Sequence, residues 1–500
     1  MSFLVFDYLY VKFLCDYLIL FPKQLIILSF ILYNDIDNEV KKVNKKLICS
    51  IALLVLLVIL GGVMIFAKHN YKREKEEKNK LISMVMSVDD DKVTLQDSNH
   101  IIYTFGVVDS NISVGDVIEL EYSGTLNKNK ALQDNEVLGY KTISVSNDEE
   151  EIPSVWQDDG IFKDFYIFAA EKLKTMTLDE KIAQLLLVRY PDTNPVSTLE
   201  KYQFGGYVFF EKDFLDKTKS EVKEMINNLQ EVVDIPILTA VDEEGGTVVR
   251  VSSNPNLVSS KFQSPRELYL SGGFDKIRED TVTKSLLLSD LGLNLNLAPV
   301  VDVSTNSSDY MYNRTLGENT ELTSTYAKTV IRASKGLGVS YTLKHFPGYG
   351  NNADTHYGAA TDNRSYDEIV KNDLPPFEAG IAEGAEAVLV SHNTVTNIDP
   401  DNPASLSTDV HNLLRNELGF TGIIMTDDIA MGAVSSIDDA AVKAVLAGND
   451  LIITTDYEES INSIKEALED QTIDESLIDK LAFRVLAWKY YKGLIFENQK

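Results

Sequence analysis

The longest uninterrupted apolar run in the chain, "LICSIALLVLLVILGGVMIFA" at residues 47–67, carries no charged side chain. As a helix it is long enough to cross about 30 Å of hydrocarbon, so the pattern predicts an N-terminal transmembrane helix. A cleaved signal peptide fits less well, because the run exceeds the usual h-region and no small-x-small site follows it. Within the N-terminal segment 1–46, residues 1–33 are also apolar, but Asp7, Lys12, Asp16 and Lys23 interrupt them. They read either as a second, poor membrane segment or as sequence upstream of a natural start near Val40. Residues 68–80, "KHNYKREKEEKNK", form a charged juxtamembrane linker.

Beyond this linker the hydrophobic period shortens. Segments rich in β-branched residues and tyrosine ("ISMVMSV", "KVTLQD", "HIIYTFG", "DVIELEYSG", "YKTISVS") alternate with turn formers, which predicts a small antiparallel β domain over residues 81–146. It gathers no cluster of catalytic residue types and reads as a spacer or a weak carbohydrate or wall contact. An acidic linker follows at 147–155. From 156 to 496, apolar runs alternate with amphipathic stretches such as "KSEVKEMINNLQEVV" and "TSTYAKTVIRASKGLG". The strand candidates are "AQLLLVR", "GGYVFF", "PILTAV", "LNLNLAPVV", "VSYTLKHF", "AEAVLVSH", "TGIIMTDD" and "DLIITT". Near-continuous apolar strands between helices predict a parallel sheet covered on both faces. The fold class expected is therefore α/β, a TIM-type (β/α)8 barrel preceded by a small β domain and the transmembrane helix.

Polar residues sharpen that choice. Asp242 and Glu243, Asp302, Lys344 and His345, Ser391 and His392, and Asp427 and Asp428 each stand at the C-terminal end of a predicted strand. In a barrel those ends converge on one face, where active sites lie, whereas an open sheet spreads them along a line. Carboxylates, histidines and an Arg/Lys pair, without a phosphate-cradling Gly-x-x-x-x-Gly-Lys loop, suit hydrolysis of a neutral polyhydroxylated substrate. Retaining glycoside hydrolysis needs a carboxylate nucleophile and a separate proton donor. Asp427, ending a buried strand, is the candidate nucleophile. Asp428 points the other way in an extended strand and reads as a supporting acid. The loop "KHFPGYGNNADTH" offers the donor: Asp354, two residues before His356, can hold one imidazole nitrogen and bring the proton affinity of the other into the working range. His345, on the strand end, is left to bind hydroxyls. Blander roles stand against these. A strand-end Asp often caps the following helix, a loop His is often simply exposed, and a zinc site from His345, His356 and Asp354 lacks the usual ligand spacing. Convergence of polar groups from five strands favours the catalytic reading.

Several long motifs carry a resemblance. "LLRNELGFTGIIMTDDIA", residues 413–430, resembles the signature of glycoside hydrolase family 3. "VDEEGGTVVR", "YNRTLGEN", "LKHFPGYGNNADTH" and "PASLSTDVHNLLRNELGF" resemble its β-N-acetylglucosaminidase branch, the NagZ-like enzymes. The resemblance spans about residues 156–496. It implies that Asp427 forms a covalent glycosyl intermediate and that His356, paired with Asp354, is general acid and then base. It also implies that Asp242, Arg250, Arg314, Lys344 and His345 bind sugar hydroxyls and the N-acetyl group. Family 3 glucosidases usually take their acid/base from a second sandwich domain, whereas this chain ends in "RVLAWKYYKGLIF" as single-barrel members do, which favours the histidine. There are departures: Tyr349 replaces a common His and could stack on a neighbouring sugar, Glu243 replaces a common Gln, and Thr247 replaces a common Arg.

Charge and cysteine content set the partners. A formal charge of −29, almost wholly after the apolar run, repels phosphate backbones and argues against nucleic acid. Both cysteines, Cys15 and Cys49, lie in the apolar end, so no disulfide framework, cysteine metal site or thiol nucleophile is available beyond it. The expected function is a retaining exo-β-N-acetylglucosaminidase, without metal or organic cofactor, acting on terminal GlcNAc of peptidoglycan fragments. The expected location is the cell membrane, through the N-terminal helix, with the barrel outside where the polymer lies. Basic residues argue the other way, since Lys68, Lys72, Arg73, Lys75, Lys78 and Lys80 outnumber Lys41, Lys42, Lys45 and Lys46. A β-glucosidase, a glycoside phosphorylase and an inactive wall-binding barrel are the alternatives.

Overall fold

The computed structural model describes residues 78–495, except for short stretches at 90–91, 98–101, 107–111, 113–115, 127–131, 134, 136, 145–151, 154–155, 351, 353 and 356–357. A first sheet contains β1 (Lys78–Asp89), β2 (Lys92–Asp97), β3 (Ile102–Gly106), β4 (Val117–Ser123) and β5 (Val137–Ser144), in the order β3-β2-β1-β4-β5. Alternation along β1 divides its side chains between two cores. Val85 packs with Leu95, Phe105 and Ile118 of the same sheet, whereas Met84 and Met86 pack into the core of the barrel. Gln96 Nε2 adds a hydrogen bond to the Lys492 carbonyl at 3.1 Å.

The barrel strands are β6 (Leu186–Arg189), β7 (Gly206–Phe209), β8 (Leu238–Val241), β9 (Leu295–Asn296), β10 (Ser340–Phe346), β12 (Ala387–Val390), β14 (Ile423–Thr426) and β15 (Ile452–Thr454). A short side pair, β11 (Thr361–Asp362) and β13 (Thr394–Val395), lies outside this sheet. The eight strands follow chain order around the sheet, and neighbours pair in parallel. Each lies within one of the apolar runs read as a strand, and the side chains of β7, β8, β10, β12 and β14 are buried throughout. Gly206 shows how close the strands come: a Cβ there would lie 2.4 Å from the Leu238 carbonyl oxygen. Capping boxes at Thr177–Glu180, Thr218–Glu221 and Ser264–Glu267 start three of the covering helices.

The expected fold class needs correcting on two points. Among the described residues no helix is long and apolar enough to cross a membrane. The longest, Pro265–Asp290, is studded with Arg, Glu, Asp and Lys and broken at Gly272 and Gly273. The run at 47–67 lies outside the described residues. The transmembrane helix and the membrane association that rested on it are therefore unsupported. The barrel, moreover, is nearly rather than fully closed. Between β14 and β15 the ladder is reduced to one bridge, Met425 to Leu451. β9 is only two residues long, because Pro299 follows closely and has no N–H with which to extend it.

At the end of the barrel opposite the strand tips, the helix Glu475–Tyr491 buries Lys489 completely. Its ammonium donates to Gln184 Oε1 at 2.7 Å, and burial pushes its pKa down to about 7. An unfolded lysine titrates near 10.4, so between the two values the unfolded state binds more protons and stability rises with pH. Lys489→Met removes this dependence. Relative to wild type, the variant should lose up to about 1.4 kcal/mol per pH unit from pH 7 towards pH 10, measured by chemical denaturation. A constant gap would contradict an ammonium buried without a counter-charge.

Candidate active site

β8 runs into three consecutive carboxylates, and strand alternation sorts them. Asp242 and Glu244 border the cleft at the strand tips. Glu243, fully buried, faces away. It accepts the backbone N–H groups of Arg250 at 2.8 Å and Val251 at 2.7 Å and the Ser252 hydroxyl, and so fixes the loop that presents Arg250.

Lys344, from β10, reaches both cleft carboxylates: its Nζ is 2.7 Å from Asp242 and 2.7 Å from Glu244. Arg314 grips Glu244 with Nε at 2.9 Å and Nη2 at 2.7 Å, a bidentate pair. Burial opposes the charge on Glu244, yet Arg314 and Lys344 outweigh it and hold the carboxyl well below its ordinary range. The same pairing, again against burial, keeps Lys344 and Arg314 more firmly protonated than usual. His345 follows. Its Nδ1 lies 2.8 Å from Asp302, which also accepts the Tyr349 backbone N–H at 2.7 Å. Its Nε2 stands 3.5 Å from Arg314 Nη2.

Asp427 ends β14. The next helix, Ala440–Ala447, has Asp439 at its N-cap position, so Asp427 is not a helix cap. One of its carboxylate oxygens accepts the Asp428 backbone N–H at 2.9 Å. Burial pushes its pKa up, but His392, His345 and Lys344 together bring it below the ordinary value. His392 is oriented by the Asp428 carbonyl, 3.0 Å from Nε2, and by Ser405 Oγ, 2.7 Å from Nδ1. Asp428 behaves oppositely. Burial raises its pKa, and its oxygens accept from Ala430 N and Thr455 Oγ1, each at 3.0 Å, which supports the turn after the strand.

Asp242, Glu244, Arg314, Lys344, His345, Asp427 and Asp428 border one cleft of about 440 Å³. Of the residues proposed from sequence, Asp242, Arg250, Arg314, Lys344, His345 and Asp427 line it together. Arg250 approaches Asp242 at 3.7 Å. Asp354 stands in the loop after β10, close to Tyr310, whose hydroxyl it influences electrostatically. His356 lies outside the described residues. Tyr349 is not a platform for sugar: it is 3% exposed, its ring packs on His345 at 5.5 Å, and its hydroxyl accepts the Thr355 N–H at 3.0 Å. Gly348 at φ +123° makes this tuck possible, since a Cβ there would lie 2.5 Å from Asp373. Sequence reasoning missed Glu244, which period-two alternation from Asp242 could have found. It gave no task to Asp302 or His392, whose partners come from distant strands. Among the described residues there is no grouping of three or more His, Cys, Asp or Glu arranged to hold a metal ion.

The sequence profile described as "Glycosyl hydrolase family 3 N terminal domain" matches residues 177–488, more than half of the chain. The chain belongs to glycoside hydrolase family 3. A β-hexosaminidase of Xylella fastidiosa (strain M23) is 30% identical over 302 residues, 59% of this chain and 88% of that protein. Another, from Stenotrophomonas maltophilia (strain R551-3), is 31% identical over 293 residues, 57% of this chain and 86% of that protein. Among solved structures, a family 3 β-N-acetylglucosaminidase from Paenibacillus sp. str. FPU-7 matches with a TM-score of 0.60 at 28% identity, covering 65% of this chain and 66% of that one. This family 3 member is a glycoside hydrolase of the β-N-acetylhexosaminidase type.

In this family 3 site, neutralising Glu244 would leave Arg314 and Lys344 buried with too little negative charge. Glu244→Gln should destabilise the fold by about 3–5 kcal/mol and lower kcat/KM by about 100-fold or more, read by denaturation and by glycosidase assay. Because the Glu244 pKa is depressed on folding, its contribution is fully present above about pH 4.3 and is lost as pH falls through the folded value. The stability gap between wild type and variant should therefore narrow in acid.

Proposed function

We propose that this enzyme is a retaining, exo-acting β-N-acetylglucosaminidase that removes terminal GlcNAc from peptidoglycan-derived glycans. Asp427 is the nucleophile, and His356, oriented by Asp354, is the acid and then the base. The observation that carries this reading is the state of Asp427, a cleft carboxylate kept ionised against burial by His345, His392 and Lys344. A nucleophile must be charged at the working pH. The names of the relatives support the N-acetylated sugar.

In the first step a carboxylate oxygen of Asp427 attacks the anomeric carbon as the bond to the departing oxygen breaks, and the His356 imidazolium gives that oxygen its proton. Asp242, as an acceptor, and Arg250 and Lys344, as donors, hold the sugar hydroxyls, with Arg314 and His345 beside them. In the second step neutral His356 takes a proton from water, whose oxygen attacks the same carbon and frees Asp427. Two inversions give net retention. Asp354 accepts the remaining imidazole N–H and keeps the ring aimed.

Asp427→Ala should reduce turnover of every substrate to background. His356→Ala should cost about 10²- to 10⁴-fold on GlcNAc disaccharides but far less on the 2,4-dinitrophenyl glycoside, whose leaving group needs no proton. Equal losses on both would reject His356 as the acid. Mass spectrometry of muropeptides treated with the enzyme tests the substrate class, with loss of terminal GlcNAc expected. Because the Asp427 pKa is lowered, the acid limb of kcat/KM should lie below the ordinary carboxylate value of about 3.9.

A further inference from the structure

We infer that Tyr310 is an aromatic platform for the second sugar, the one on the leaving-group side of the bond that is cut. The inference rests on the glycosidase reading above and names the neighbour that the released GlcNAc has in the substrate. Of the exposed large apolar or aromatic side chains among the described residues, Tyr310, at 38%, is the one that borders the cleft. A pyranose carries C–H bonds on its faces, and laying such a face on an aromatic ring takes apolar area of both out of water. The ring is also held ready. Ser304 Oγ donates to Asp309 at 2.9 Å, Tyr312 N to the Asp309 carbonyl at 3.2 Å and Arg314 N to the Met311 carbonyl at 2.9 Å, while Met311 is fully buried with Val300 and Tyr349. A sugar that docks there orders little of the protein, so most of the contact appears as affinity.

Its place in the cleft decides which sugar it meets. The charged groups at the tips of β8 and β10 suit the hydroxyls of the terminal sugar, whereas Tyr310 stands to one side of them, against the loop that follows β10. Its ring centroid lies 5.9 Å from that of Tyr349, and the Tyr349 hydroxyl accepts the Thr355 N–H at 3.0 Å. Thr355 itself borders the cleft. Ala430 and Met431, which follow the nucleophile strand, border it too, and Ala433 N donates to the Thr355 carbonyl at 3.1 Å, so loop and turn meet. This part of the wall is mainly apolar where the floor is charged. In the acid/base reading the loop delivers the proton to the departing oxygen, so the sugar attached to that oxygen lies on the same side, within reach of Tyr310. The stacking task that the sequence suggested for Tyr349 passes to the tyrosine packed on it.

Tyr310→Ser removes the ring and Tyr310→Phe keeps it. On a GlcNAc disaccharide, Tyr310→Ser should raise KM about tenfold with kcat within about threefold, because the contact holds the ground state and the transition state alike. On β-N-acetylglucosaminyl fluoride, which has no second ring, its kcat/KM should stay within about twofold of wild type. Tyr310→Phe should keep KM within about twofold on both. A purely structural role would lower turnover of both substrates together with the melting temperature, and that outcome overturns the inference. An equal loss in Tyr310→Phe on the disaccharide assigns the effect to the hydroxyl and overturns it as well. The wild type separates this claim from the one it rests on. If it cleaves the fluoride but not the disaccharide, the glycan reading fails and the platform falls with it. If it cleaves the disaccharide and Tyr310→Ser does so with unchanged KM, the platform alone fails.

Discussion

The site depends on one lysine ammonium held away from water between two carboxylates. Lys344 is 3% exposed, and an isolated charge so placed costs several kcal/mol even after relaxation. Asp242 and Glu244, each at 2.7 Å, offset that cost, and the Arg314 fork on Glu244 balances the second negative charge. The group is close to neutral as a whole but strongly polar within. It therefore lines a sugar site with donors and acceptors already fixed in place, so little is reorganised when substrate arrives. The same positive charge reaches Asp427 and, with His345 and His392, counters the burial that would otherwise protonate it.

The barrel supplies this arrangement because the participants sit at the tips of four different strands. Asp242 and Glu244 follow β8, Lys344 and His345 close β10, His392 follows β12, and Asp427 follows β14. Parallel pairing brings those tips to one end, so residues nearly two hundred positions apart meet without any long loop. The groups that steer them come from the same end. Asp302 orients His345 through Nδ1, and Ser405 with the Asp428 carbonyl sets the orientation of His392.

Much of this was legible in the sequence, where buried parallel strands show as near-continuous apolar runs and each barrel strand fell within one. The polar residues closing those runs marked the site, and most of the residues named there share the cleft. The misreadings have physical causes. Glu244 was passed over because adjacent acids were taken in chain order rather than by the face each presents. Tyr349 was given to a sugar because a loop tyrosine reads as exposed, whereas glycine at 348 lets the chain tuck it against His345. The apolar run at 47–67 was read by hydropathy as a membrane helix, and nothing in the described fold supports that element.

The central claim is that the Asp427 carboxylate, kept ionised by this network, bonds to the anomeric carbon. The most direct test is to trap that bond with a slow fluorinated N-acetylglucosaminyl fluoride and to map the labelled peptide by tandem mass spectrometry. The account predicts one sugar per chain, attached to Asp427. A label on Asp428, Asp242 or Glu244, or turnover that never accumulates an adduct while the anomeric configuration inverts, would contradict it.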